Sequence, residues 1–195
     1  MSAIAELPDL LIRWLNALPE GLQAHVERVR GIARELALVH GIDQVLTDTA
    51  AAAHDIARHL PAKRLLEEAE SLELAVSDVE RAAPILLHGA VGAAWLDQHD
   101  TITDTDILEA VRWHTSAHPD LSPLGQAVFL ADKLDPAKER AYPFQQEVRE
   151  AAFLDMHQGV LAFIDGAIKL HIERHELVHP MSSETRNRLI ISLSC

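Results

Sequence analysis

The run Ala50–Ala51–Ala52–Ala53–His54–Asp55–Ile56–Ala57 sets two polar side chains into a segment otherwise made of small apolar ones. Alanine favours helix, and a helix this small along its length packs closely against its neighbours. A carboxylate inside such packing is costly unless it is paired or holds a metal ion. Neighbouring helical residues differ by about 100° in direction, so His54 and Asp55 can both aim into one cleft, where a carboxylate can bridge two cations. The dipeptide is equally compatible with a helix end at which Asp55 caps nearby backbone.

Outward from this run, nearly every segment repeats its apolar positions at helical period. Pro8 begins a short helix to about Leu18, broken at Pro19–Glu20–Gly21. A second helix runs from about Leu22 to Val39 with a glycine cap at His40–Gly41, and a third from about Asp43 to Ala57. Pro61 opens a helix to Glu70, Val76 to Ala83 form a brief amphipathic piece, and Pro84 starts a helix to Gln98. Thr103 and Asp106 have the spacing of a capping box before a helix that ends near His114. Thr115 to Pro123 is turn-rich, Leu124 to Leu134 is helical, and Asp135–Pro136 is a break. One long helix is expected from Phe144 to Glu176, and a closing one from Glu184 to Leu193. With no alternating strand, internal repeat or low-complexity tract, the fold class is all-α.

Length and charge narrow the partners. The chain has 195 residues, enough for one domain and a small appendage. Seventeen basic against thirty acidic residues give a formal net charge of −13, which repels nucleic acid and anionic membranes. An anionic substrate would need a metal or a local basic cluster to reverse that sign. Cys195 is the sole cysteine, so no intramolecular disulfide is expected. The start, with Glu6 and Asp9, lacks the pattern of a secretory signal, and no run is apolar enough to span a membrane, so the expected location is the cytoplasm.

Four further residues share the character of His54 and Asp55. His25 lies one turn into the second helix, His88 ends the apolar run Ile85–Leu86–Leu87, His114 ends the helix before it, and Asp132 follows Val128–Phe129–Leu130–Ala131. Singly each has a structural reading: a surface histidine, a core histidine bonded to a carbonyl, a protonated imidazole at a helix C-terminus, an acid in a salt bridge. In order they offer His, His–Asp, His, His, Asp from separate helices, and a bundle can converge such groups on one pocket. The donors are nitrogen and oxygen without thiolate, which suits iron, manganese or zinc.

This order resembles the HD superfamily of metal-dependent phosphohydrolases, with His88 and His114 matching its two-metal branch. Ala24–His25–Val26–Glu27–Arg28–Val29, Ala53–His54–Asp55–Ile56–Ala57, Leu87–His88–Gly89, Trp113–His114–Thr115, Leu130–Ala131–Asp132–Lys133–Leu134–Asp135–Pro136 and the tail Val178–His179–Pro180 with Arg186–Asn187 are similar to the YqeK-like symmetrical bis(5'-nucleosyl)-tetraphosphatases. The resemblance spans roughly residues 20 to 193. It implies a single HD-domain bundle over 20–195 with the metal site at its centre, preceded by an N-terminal helical extension over 1–19. It also implies cleavage of diadenosine tetraphosphate into two ADP at two transition-metal ions, iron first and manganese or zinc next. One ion would take His25, His54, Asp55 and Asp132, and the other His88 and His114 with Asp55 bridging. The chain departs from the family's pattern at Arg58, where a lysine is expected, and in Lys133 to Arg140, where an arginine is expected nearer Pro136.

Under that resemblance a metal-bridging hydroxide attacks phosphorus in line with the leaving oxygen. Asp55, Arg58 and Lys133 are the candidate catalytic residues, and Arg58, Lys133, Lys138 and Arg140 the candidate phosphate contacts. For the four basic residues the alternative is a solvated surface charge. Tyr142 and Phe144 either stack on a base or pack in the core. His171 and His175 have metal-clamp spacing but sit in a charged helix and read as an exposed pair. There is no phosphate-binding glycine loop and no nucleophile elbow. Two other functions remain compatible: hydrolysis of a nucleoside phosphate or cyclic nucleotide, and a nucleotide-sensing module without turnover. A homodimer is compatible with the sequence, which specifies no oligomeric state.

Overall fold

A computed structural model of the protein describes residues 6–193, so Cys195 and the first five residues of the expected extension lie outside the described residues. All regular structure among the described residues is helical. The α-helices are α1 (Asp9–Ala17), α2 (Glu20–His40), α3 (Gln44–Ala53), α4 (Ala62–Ser71), α5 (Asp78–Ala82), α6 (His88–Gln98), α7 (Thr105–Trp113), α8 (Pro123–Lys133), α9 (Gln145–Leu154), α10 (Met156–Glu173) and α11 (Pro180–Leu193), with short 3-10 turns at Pro84–Leu87 and Pro136–Lys138. Among the described residues no helix is long and apolar enough to cross a membrane.

α8 is the axis of the bundle. Every residue from Leu124 to Lys133 is buried, and α2, α3, α7 and α10 pack around it. Val29, Ala33 and Leu36 of α2, Ala50 to Ala53 of α3, and Ala110 and Val111 of α7 join it in one core. The small alanine side chains let these helices pack closely, which helps bring their ends to one point. Leu11 of α1 is fully buried in the same core, so the N-terminal helix packs into the main body. A smaller cluster of Ala57, Leu65, Ala69, Leu87 and Val91 lies beneath α4 and α6.

Polar contacts fix the register. Asp48 of α3, fully buried, takes Arg30 through two nitrogens at 2.8 and 3.0 Å and Arg34 at 2.6 Å, tying α3 to α2. Gly41 caps α2 at φ 68°, a left-handed conformation in which any other residue would be strained.

Four sequence expectations are corrected. α3 ends at Ala53, not Ala57: the chain leaves it through i,i+3 turns, Arg58 N–H to Asp55 O at 3.0 Å and Leu60 N–H to Ala57 O at 3.1 Å. The His–Asp pair therefore sits on the turn beyond the helix. The segment from Pro84 is a 3-10 turn until His88, where α6 begins. α7 is capped by Asp104, whose carboxylate accepts from Ile107 N–H at 3.1 Å, and no capping box forms from Thr103, since Asp106 is too short to reach back as Glu or Gln does. The expected long helix is two, because Asp155 leaves helical geometry and its carboxylate caps α10 at Gln158 N–H, 3.1 Å.

Candidate metal centre

The six candidate ligands converge. His25 comes from α2, His54 and Asp55 from the turn just beyond α3, His88 from the start of α6, His114 from the cap of α7 and Asp132 from α8, and all six are at most 7 % exposed. They form two groups sharing Asp55: His25, His54, Asp55 and Asp132, and Asp55, His88 and His114, each with ligand atoms within 4.8 Å of one another.

Backbone carbonyls set the imidazole tautomers. His54 Nδ1–H donates to Ala51 O at 2.7 Å, His114 Nδ1–H to Val111 O at 2.7 Å, and His88 Nδ1–H to Ile85 O. In the neutral ring this leaves each Nε2 as a lone pair aimed inward. His88 Nε2 and His114 Nε2 stand 2.9 Å apart, and His25 Nε2 and His54 Nε2 3.3 Å apart. Lone pairs so close repel unless a cation lies between them. Donors bound to one ion at about 2.1 Å sit roughly 3.0–3.4 Å apart at angles from square to tetrahedral.

Asp55 makes the same case. Its two oxygens are buried and receive no hydrogen bond. Oδ1 faces His88 Nε2 at 2.9 Å and His114 Nε2 at 3.4 Å, while Oδ2 faces His25 Nε2 at 3.4 Å and His54 Nε2 at 3.5 Å. One oxygen thus serves each group. An orphaned, fully desolvated carboxylate with divided loyalties is costly by itself and fits two cations well.

Protonation differs between the two groups. Burial, with His88 and His54 nearby, depresses His114 to about 3, so it is neutral rather than the protonated helix-end histidine of the structural reading. Burial opposes charge on His54 too, but Asp55 and Asp132 hold its proton up to about 9; a metal ion would take that proton's place. Asp55 and Asp132 stay ionised against burial, Asp55 through His54 and its histidine neighbours, Asp132 through Lys133 and Lys138.

Basic residues ring one side. Lys133 Nζ, buried, lies 2.8 Å from Asp132 Oδ2 and over the rings of Phe129 and Phe163, and Lys138 Nζ bonds Asp132 Oδ1. Arg58 Nε is 3.5 Å from Asp55 Oδ2. All three face a cavity of about 690 Å³ that opens from His114 and Asp132 and continues along Tyr142, Phe163 and Ile168 to His171 and Leu177. Arg140 is exposed and is not among the residues lining it. Tyr142 lines the cavity and packs edge-on against Phe163 at 5.0 Å. Phe144 instead packs against Gly166, where a Cβ would come within 2.6 Å of its ring. His171 is half-exposed and paired with Glu176 at 2.9 Å, yet it belongs to the cavity wall, as does His175.

Sequence reasoning overlooked Asp135 and Arg28. Asp135, fully buried, accepts from His25 Nδ1–H at 2.5 Å and from Arg28 Nε and Nη2 at 2.6 and 2.9 Å. A signal was present: Arg28 follows His25 by three residues and Asp135 follows Asp132 by three, the spacing that puts residues on one face of a helix.

Known proteins resemble this chain in sequence and in fold. The HD domain family model matches residues 22–137, which hold all six candidate ligands. The chain is 31 % identical over 173 residues to the symmetrical bis(5'-nucleosyl)-tetraphosphatase of Bacillus subtilis, covering 89 % of this chain and 91 % of that one. It is 29 % identical over 174 residues to the enzyme of the same name from Halalkalibacterium halodurans, covering 89 % and 91 %. A crystal structure from Clostridium acetobutylicum, described as a predicted HD superfamily hydrolase involved in NAD metabolism, superposes with a TM-score of 0.88 at 29 % identity, covering 94 % of this chain and 97 % of that one. With a buried histidine–aspartate cluster at the centre of an all-helical bundle, the chain belongs to the HD-domain family of hydrolases.

Proposed function

We propose that the protein hydrolyses diadenosine tetraphosphate symmetrically to two ADP, using two transition-metal ions held by His25, His54, Asp55, His88, His114 and Asp132. The observation that carries this reading is Asp55, buried without a hydrogen-bond donor and offering one oxygen to each group of histidines. Relatives about 30 % identical over nine-tenths of both chains bear the name of that activity. The donor set of nitrogen and oxygen suits iron first, and manganese or zinc next.

Ions bound there supply Lewis acidity toward phosphate oxygens and a water of lowered pKa. The chain's own residues do the rest. Arg58, Lys133 and Lys138 gather positive charge on the metal side of the cavity, where a molecule of net charge −13 must overcome its own repulsion of a polyphosphate. Tyr142 and Phe163 line the apolar wall beyond them, suited to a nucleoside. Burial of the ligand cluster excludes bulk water from competing with the positioned one.

Chromatography of products from diadenosine tetraphosphate with metal-replete protein tests this. ADP alone is expected. ATP and AMP in equal amounts would mean asymmetric cleavage and overturn the reading. No reaction there, with phosphate released from a mononucleotide, would favour a second reading, hydrolysis of another nucleotide. That alternative draws on the Clostridium acetobutylicum relative, whose description places it in NAD metabolism. Metal and nucleotide binding with no turnover of either would point to a sensing module.

A further inference from the structure

Resting on the two-metal reading above, we infer that Asp135, clamped by Arg28, is a positioning residue that makes the His25, His54, Asp55 and Asp132 site the tighter of the two, so that the ions load in a fixed order. The sites are unequal in donors. The first offers four protein ligands, two of them carboxylates, and the second three, of which the single carboxylate is the Asp55 shared with the first.

The surroundings widen the difference. His54, His88 and His114 each give their Nδ1–H to a neutral backbone carbonyl. His25 alone gives it to a carboxylate, Asp135 Oδ2 at 2.5 Å. A carboxylate behind an imidazole raises the basicity of the far nitrogen and locks the ring, and loss of such a partner costs about 10–100-fold in metal affinity. Asp135 cannot drift away. Arg28 holds both of its oxygens, Ala137 N–H bonds Oδ1 at 3.1 Å, and Gln145 bonds the Lys133 and Asp135 carbonyls at 2.8 and 2.9 Å, pinning the turn that carries it. The lone pair of His25 Nε2 is thereby directed at Asp132 Oδ1, 3.1 Å, and Asp55 Oδ2, 3.4 Å. The His88 and His114 site lacks such a partner, fills last and keeps more coordination positions for phosphate oxygens.

The test is titration of metal-stripped full-length protein with Mn2+, with free and bound ion read by electron paramagnetic resonance. Two steps are expected, the first at least about tenfold tighter. Asp135→Asn should weaken the first step about 10–100-fold and leave the second within about threefold, while Asp135→Glu, which returns a carboxylate, restores the first. His114→Ala should delete the second step and spare the first. If Asp135→Asn does not fold, Arg28→Gln, which unclamps Asp135 in place, should weaken the same step by about 3–10-fold. Equal steps in the unaltered protein, or equal weakening of both by either variant, overturns the inference. Failure of the unaltered protein to bind any Mn2+ overturns the two-metal reading itself, whereas two bound ions indifferent to Asp135 overturn the inference alone.

Discussion

Replacing Gly89 by alanine tests whether the metal centre depends on helix packing. Gly89 follows His88 at the start of α6, and a Cβ there would lie 2.7 Å from Arg112 O, 2.8 Å from Val111 O and 3.2 Å from His114 Cε1. The first two are backbone atoms of α7, and Val111 O is also the acceptor that orients His114. Relief to van der Waals contact requires α6 and α7 to part by roughly half an ångström, which overpacking series put at about 1–3 kcal/mol. Alanine's better helix propensity returns up to about 1 kcal/mol, leaving a net loss of up to about 2 kcal/mol. For a chain of this length that lowers Tm by up to roughly 8 °C. The same shift displaces the Val111 carbonyl that orients the His114 ring and turns its Nε2 off aim, so Gly89→Ala should keep the first ion and weaken the second. Differential scanning calorimetry of the metal-stripped protein and elemental analysis of the loaded one measure the two effects. A variant with unaltered Tm and two ions per chain would refute the claim that backbone contact at Gly89 sets the aim of His114.

Two further outcomes are expected. Asp55→Ala should abolish turnover and strip metal from both sites, because its oxygens face both groups, whereas His171→Ala, half-exposed on the cavity wall, should keep both ions and change kcat by less than about threefold, any effect falling on KM. Glu80, held down to about 2 although burial pushes it up, owes this to His179 at 3.6 Å and to the Ser77 backbone N–H and hydroxyl at 2.8 and 2.7 Å. A carboxyl depressed in the folded state stabilises above its ordinary 4.5 and loses that contribution as pH falls toward 2; at 1.36 kcal/mol per pH unit the upper bound is about 3 kcal/mol. Urea unfolding of Glu80→Gln against the unaltered chain should show a stability gap at pH 7 that closes between pH 5 and 2, and a gap independent of pH would refute the assignment.

Much of the protein was legible in its residues because helical period and the cost of buried charge are local facts. The all-helical class followed from spacing, the glycine cap at Gly41 from the residue itself, and the ligand candidates from polar side chains set into apolar runs. Where the reading erred, a rule was applied one step too coarsely. The Thr103 box needed a longer acid than Asp106, while Ser77 and Glu80, which have the right lengths, form the box that was passed over. Continuous period across Asp155 concealed an N-cap that splits the long helix.

Tertiary structure decided the rest. Asp55 looks the same in sequence whether it caps backbone or bridges two ions; the fact that its oxygens divide between histidines from α2, α3, α6 and α7 exists only when those helices meet. Likewise Lys133 and Arg140 are both basic residues near a helix end, and packing alone turns one into the cavity and leaves the other in solvent. Asp135 read as a chain break until folding brought it behind His25 across 110 residues. Sequence determines which side chains are too polar for their surroundings, because that mismatch is written in neighbouring residues. Which partners resolve the mismatch is set by distances between helices far apart in the chain, and those are fixed by how closely alanine and glycine let the backbones approach.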